Sequence, residues 1–175
     1  MRSAEFPYLS AYPTTLHDQV RPLLESGELG QRLVAKYPQP TRLKSDHLLR
    51  EYVLELKNQF LKRAPPLSKI CFDDKIGSLQ GALGLHTHIS RMQGSKLQAK
   101  NELRIASLLR TFPEEFLHMV VVHELAHLRE KDHNKAFYQL CCHMEPRYHE
   151  FELDLRLYLT AEDAAKLDRS INVRS

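Results

Sequence analysis

The sequence predicts an α+β fold, and three observations carry that reading. Apolar residues recur at helical spacing in the first third of the chain, a glycine-punctuated middle stretch has the short runs of strands, and a strongly apolar helical pattern follows it. The architecture expected is a small antiparallel-type sheet packed against that apolar helix, with N- and C-terminal helices flanking it. At 175 residues the chain has the length of one domain and buries roughly 70% of its unfolded surface without crosslinks. A single domain over 1–175 is therefore expected: N-terminal helices over about 14–63, the sheet over about 67–109, and the apolar helix with C-terminal helices over about 113–160.

Thr14 and Thr15 with Asp18 mark a capped helix start, and Leu16, Val20, Leu23 and Leu24 give that helix its apolar side; a second runs over about 28–37, ended by Pro38 and Pro40. Ser45 caps a longer helix in which Leu48, Leu49, Tyr52, Val53, Leu56 and Phe60 form one stripe, stopped by Pro65 and Pro66. Residues 69–72, 86–91 and 102–106 read as strands, with Gly77, Gly81, Gly84 and Gly94 at the turns. Pro113 then opens the apolar helix. Glu114 and Glu115 occupy its first turn, where the helix dipole favours acids, and 116–128 is apolar on nearly every side. A helix apolar all round is buried, so its polar residues His123, Glu124 and His127 need a reason. Residues after Thr160 read as a short surface helix or a frayed tail.

Composition excludes several classes. With 42% apolar and 27% charged residues the chain is too apolar for a disordered protein. No run approaches the roughly 18 apolar residues of a membrane span, and Met1-Arg2-Ser3-Ala4-Glu5 lacks the core of a signal peptide, so a cytoplasmic protein is expected. Cys71, Cys141 and Cys142 are an odd set with two neighbours, which argues for packed thiols rather than a disulfide framework. The net charge of +3 is unevenly divided. Residues 1–112 carry 17 Lys+Arg against 10 Asp+Glu, whereas residues 113–175 carry 8 against 12, a distribution able to steer an anion toward one face.

The chemistry concentrates in His123-Glu124-Leu125-Ala126-His127. Histidines four apart on a helix share a face and converge on one ion, and Glu124 is placed to take a proton from a water held there. Shuffling the chain's 10 His and 14 Glu yields this pattern about 0.05 times, and about 0.003 times with a further His at a fixed position. That further position is His133. Three histidines with a fourth position open meet the needs of a hydrolytic divalent metal, zinc best of all. The chain must turn sharply between His127 and His133. Metzincins place a glycine midway, where this sequence has Glu130, so the helix is expected to end near Lys131 and Asp132; Glu145, Glu150 and Glu152 are substitutes should His133 not reach.

The stretch 120–138, Val-Val-Val-His-Glu-Leu-Ala-His-Leu-Arg-Glu-Lys-Asp-His-Asn-Lys-Ala-Phe-Tyr, resembles the YgjP-like family of bacterial metal-dependent hydrolases, grouped with WLM- and SprT-like metallopeptidases. Further resemblance lies in Leu56-Lys57-Asn58-Gln59-Phe60-Leu61, Ala64-Pro65-Pro66, Leu83-Gly84-Leu85-His86-Thr87 and Cys141-Cys142-His143-Met144-Glu145-Pro146, together spanning most of 46–155. The resemblance implies a zincin-like α+β fold, metal at His123, His127 and His133, and water activation by Glu124. It also removes the need for a glycine at 130. One departure is Met92-Gln93-Gly94-Ser95-Lys96, where many relatives carry Trp-Gly-Ser-Cys.

The residues fit a metal-dependent hydrolase of peptides or of nucleotides. Arg91, Tyr138, His143 and Tyr148 are candidate donors to an oxyanion. The resemblance further implies a UTP pyrophosphatase activity. Arg91, Lys96, Lys100 and Arg104 precede the metal helix, and the last three share one face as phosphate clamps. A peptidase instead needs an exposed strand edge near the metal, for which 87–92 is the candidate. A DNA-associated, SprT-like peptidase has less support, because the chain carries no nucleic-acid motif. His143 and His149 fall on a helical continuation, as ligand-orienting partners or as surface residues.

Overall fold

The structure, a computed structural model, describes residues 6–77, 84–93 and 96–172, with side chains over 6–77 and 100–167. It is α+β, with six α-helices and one three-stranded sheet among the described residues. The chain divides into two compact units, one drawn from residues up to Pro38 and from Glu150 onward, the other from Gln39 to His149.

In the first unit α1 (Thr14–Glu25) and α2 (Glu28–Lys36) pack on each other across Gly27, whose φ of 74° is the left-handed conformation that glycine adopts without a Cβ clash. The expected Thr14–Thr15 cap is not used: Pro13 precedes the helix and no side chain caps it. The third member of the unit is α6 (Tyr148–Asn172) from Glu150 onward. Tyr37 and Lys36 both donate to Asp154 at 2.6 Å, and Lys36 also meets Glu150 at 2.7 Å. Of the two readings of the residues after Thr160, the helix holds and the frayed tail does not: α6 runs on to Asn172, with 161–164 half-buried and 165–167 exposed. Leu159 and Thr160 are buried and Tyr8 donates to Asp163 at 2.8 Å, so tertiary contacts carry the helix through a stretch whose own polarity reads as a tail.

The second unit holds the sheet. Ser45 accepts from the Leu48 amide and starts α3 (Asp46–Phe60), as its sequence indicates. Strands β1 (Leu67–Asp73), β2 (Gly84–Gln93) and β3 (Lys96–Ala106) lie in the order β1-β3-β2. The antiparallel-type sheet expected is corrected: β1 runs parallel to β3, from Leu67 opposite Asn101 to Asp73 opposite Ala106, and antiparallel pairing is confined to β2 with β3. Connection length explains it. Residues 94–95 alone join β2 to β3, a hairpin-length link, whereas ten residues separate β1 from β2 and free β1 to take the far side of β3. The turns expected at Gly81 and Gly94 lie outside the described residues.

The strongly apolar helix is α4 (Glu114–Ala126). Phe116, Leu117, Val121, Val122, Leu125 and Ala126 are fully buried, and the helix lies against β2, β3 and α5 (Lys135–Met144). No side chain caps its N-terminus; Thr41 instead donates its amide to the Phe112 carbonyl at 2.8 Å just before it. Burial of an apolar surface, rather than capping, fixes α4 and with it the site.

Candidate metal centre

The centre is built from the last turn of α4 and the loop to α5. His123 sits on the helix and His127 is its C-cap residue. The helix ends at Ala126, earlier than the expected 131–132, because the Leu128, Arg129 and Glu130 amides turn back onto the Leu125 and Ala126 carbonyls. No non-glycine residue among those described has a positive φ, so Glu130 stands where metzincins have glycine without strain. Asn134 then caps α5 by accepting from the Phe137 amide at 3.0 Å, which fixes the direction in which the chain leaves His133.

These turns bring three imidazoles together. The Nε2 of His133 lies 3.1 Å from Nε2 of His123 and 3.1 Å from Nε2 of His127. Tetrahedral ligands at 2.0–2.1 Å from one ion stand about 3.3–3.4 Å apart, close to what is seen. Among the described residues this is the single convergent group of three or more possible metal-ligating side chains.

Protonation makes the same point. The Nδ1 of His127 meets the Glu130 carbonyl at 3.0 Å; a carbonyl only accepts, so Nδ1 carries the proton and Nε2 presents a lone pair. Burial holds His127 below the ordinary imidazole pKa, against the pull of that carbonyl, and so favours the neutral ligand form. One proton on His133 Nε2 serves one neighbour at most, whereas a divalent cation serves all three rings. The donor set fits a metal. His123 and His127 are half-buried and His133 exposed, so the cluster opens to solvent on one side, as a site with a vacant coordination position requires.

Glu124, beside His123 on α4, is buried at 5% exposure. The ring of Tyr138 stands 6.3 Å from that of His133 and is half-buried. Of the proposed phosphate clamps, Lys100 is exposed, while the side chains of Arg91 and Lys96 lie outside the described residues. Arg104 is engaged: it donates to Asp73 at 2.8 Å and to Glu102 at 2.8 Å, and the Asp73 carboxyl is held below its usual range by that guanidinium.

The substitute ligands are committed elsewhere. Glu150 pairs with Lys36, Glu152 stands 3.6 Å from Arg156, and Glu145 meets Nε2 of His118 at 3.1 Å. His143 lays its ring edge-on against Phe60, and Cys71 and Cys141 are buried, form no disulfide and lie outside the cluster. Two features escaped the sequence reading. His118, also polar on the apolar helix, accepts from the Tyr52 hydroxyl at 2.5 Å through Nδ1; burial holds it below the ordinary imidazole pKa, against the pull of Glu145. Its place among apolar neighbours was the available signal. Tyr148, expected as an oxyanion donor, instead meets Nδ1 of His123 at 2.7 Å, on the side of the ring away from the cluster.

The family model for the YgjP-like metallopeptidase domain matches residues 33–158. The UTP pyrophosphatase of Escherichia coli (strain K12) is 56% identical over 153 residues, covering 87% of this chain and 92% of that protein. No solved structure matches the chain. With a helix-borne histidine cluster fit for a divalent metal and a family match over most of its length, the chain belongs to the YgjP-like family of metal-dependent hydrolases.

Proposed function

We propose that the protein is a zinc-dependent nucleotide pyrophosphatase that hydrolyses UTP to UMP and pyrophosphate. The observation that carries the substrate is the 56% identity, over 87% of the chain, to a protein named UTP pyrophosphatase. His123, His127 and His133 are the metal ligands, and zinc suits three neutral imidazoles with one position open. A divalent ion held there would supply Lewis acidity that makes the attacking water a stronger acid. Glu124 takes the proton from the attacking water as its oxygen bonds to the α-phosphorus. The bond from that phosphorus to the bridging oxygen breaks, and pyrophosphate departs with the electron pair.

Arg91, Lys96 and Lys100 face the phosphates in this reading, and Tyr138 contacts substrate at the rim beside His133. Arg104, of the same stripe, is tied to Asp73 and Glu102 and reaches substrate only if it leaves them. The sheet and α4 form a zincin-like arrangement, supported by β2 and β3 lying against the helix. Residues 1–175 act as one functional domain, supported by a family match that runs through both compact units.

A peptidase is the second reading. Among the described strands β2 pairs only with β3 and lies against α4, so its outer edge supports pairing with an extended peptide near the histidines. The test incubates metal-loaded protein with UTP, following UMP and pyrophosphate, with casein in parallel. Pyrophosphate release that falls by about 10²–10⁴ in Glu124→Gln is the expected result. Casein cleavage that depends on Glu124, with no release from UTP, replaces the nucleotide reading by the peptidase one; silence with both substrates overturns both.

A further inference from the structure

The two half-buried ligand rings are held from behind by different kinds of group. His127 Nδ1 is fixed by a backbone carbonyl, that of Glu130, at 3.0 Å. His123 Nδ1 is met by a side chain, the Tyr148 hydroxyl, at 2.7 Å. Tyr148 is fully buried, and its ring runs nearly parallel to that of His123, at 17°. A buried phenol hydroxyl requires a hydrogen-bond partner, and here that partner fixes which nitrogen of His123 turns toward the cluster.

What places Tyr148 is a second set of contacts, remote from the cluster. Both oxygens of Glu145 are used: one meets His118 Nε2 at 3.1 Å and the other accepts from the Arg147 amide at 2.7 Å. The Glu145 carbonyl accepts from the Tyr148 amide at 2.9 Å. Tyr52, on α3, closes the far end through His118 Nδ1. Glu145 therefore ties the turn that presents Tyr148 to the same helix that carries His123.

We propose that Tyr148 is a positioning residue that orients His123 as a metal ligand through its hydroxyl, with Glu145, anchored by His118 and Tyr52, setting where Tyr148 stands. The inference rests on the metal-site reading above, and it adds residues outside the ligand set. With Nδ1–H donated to the phenol oxygen, the Nε2 lone pair of His123 is aimed at the ion; without the hydroxyl the ring keeps its volume of space and loses its orientation.

The test loads the full-length protein with Co(II), titrates it against a competing chelator, and records the d–d absorption together with the exchangeable imidazole N–H resonances shifted by the paramagnetic ion. Tyr148→Phe is expected to weaken Co(II) binding about 10- to 100-fold, and to make the His123 N–H exchange fast while that of His127, held by a carbonyl, persists. Glu145→Ala should weaken binding in the parent and add little in the Tyr148→Phe background, whereas Glu145→Gln, which still accepts from His118, should restore most of the affinity. Co(II) affinity within twofold of the parent in Tyr148→Phe, with an unchanged spectrum, overturns the proposal and leaves the metal site standing. A parent protein that takes up no Co(II) overturns both.

Discussion

Each half-buried histidine of the cluster divides its two ring nitrogens between the other rings and an anchor behind it. That division makes the roles of neighbouring residues separable. Glu124 stands outside the convergent group, so Glu124→Gln should retain about one divalent ion per chain while losing turnover; His123→Ala should lose the ion altogether. Elemental analysis after dialysis reads both, and stoichiometric metal in His123→Ala would remove His123 from the ligand set. The triad was legible because its members fall within eleven residues, where helical spacing decides which rings meet. Tyr148 was not legible in its role. It lies 25 residues from His123, and only the tertiary path through α5 brings the hydroxyl to Nδ1. Arg104 illustrates the converse: a basic residue in the right stripe, whose guanidinium the fold gives to Asp73 and Glu102.

At the level of elements, the helices of the first 60 residues and the apolar α4 follow from spacing and from stop signals, and the structure has them close to where the sequence puts them. Strand direction does not follow, since alternation tells which residues share a face and says nothing of which neighbour a strand chooses. The buried helix also carries a titration. In the unfolded chain His118 takes a proton near pH 6.5, as a free imidazole does; in the folded protein burial outweighs Glu145 and protonation needs a lower pH. The unfolded chain then binds more protons than the folded one below pH 6.5. Stability from neutral His118 is therefore fully present above pH 6.5 and lost as pH falls toward the lowered value. Tyr52, Glu114 and Glu145 are the ionisable groups acting on it. In metal-free protein, the melting temperature of His118→Gln should fall less between pH 7 and pH 5 than that of the parent. Parallel curves would show that His118 is protonated without cost.

Across the whole molecule the charge division matters more than the net value. The excess of Lys and Arg in residues 1–112 favours anions, and no helix among the described residues is long and apolar enough to cross a membrane. Raising ionic strength from 0.01 to 0.15 M shortens the screening length from about 30 to about 8 Å. We expect the KM for UTP to rise several-fold over that range and a neutral peptide to be indifferent, with Lys96→Glu and Lys100→Glu together mimicking the effect of salt on UTP. Equal responses of both substrates would argue against steering by these residues.

The turn that delivers His133 has one further consequence. It contains no glycine and, among the described residues, no left-handed backbone outside Gly27. A glycine hinge would leave the unfolded chain with many more conformations to surrender when the third ring is brought in. With Glu130 there, part of that conformational freedom is absent before folding begins. The third ring is delivered by a stretch of ordinary residues, so the polypeptide restricts its approach to the other two without help from an ion.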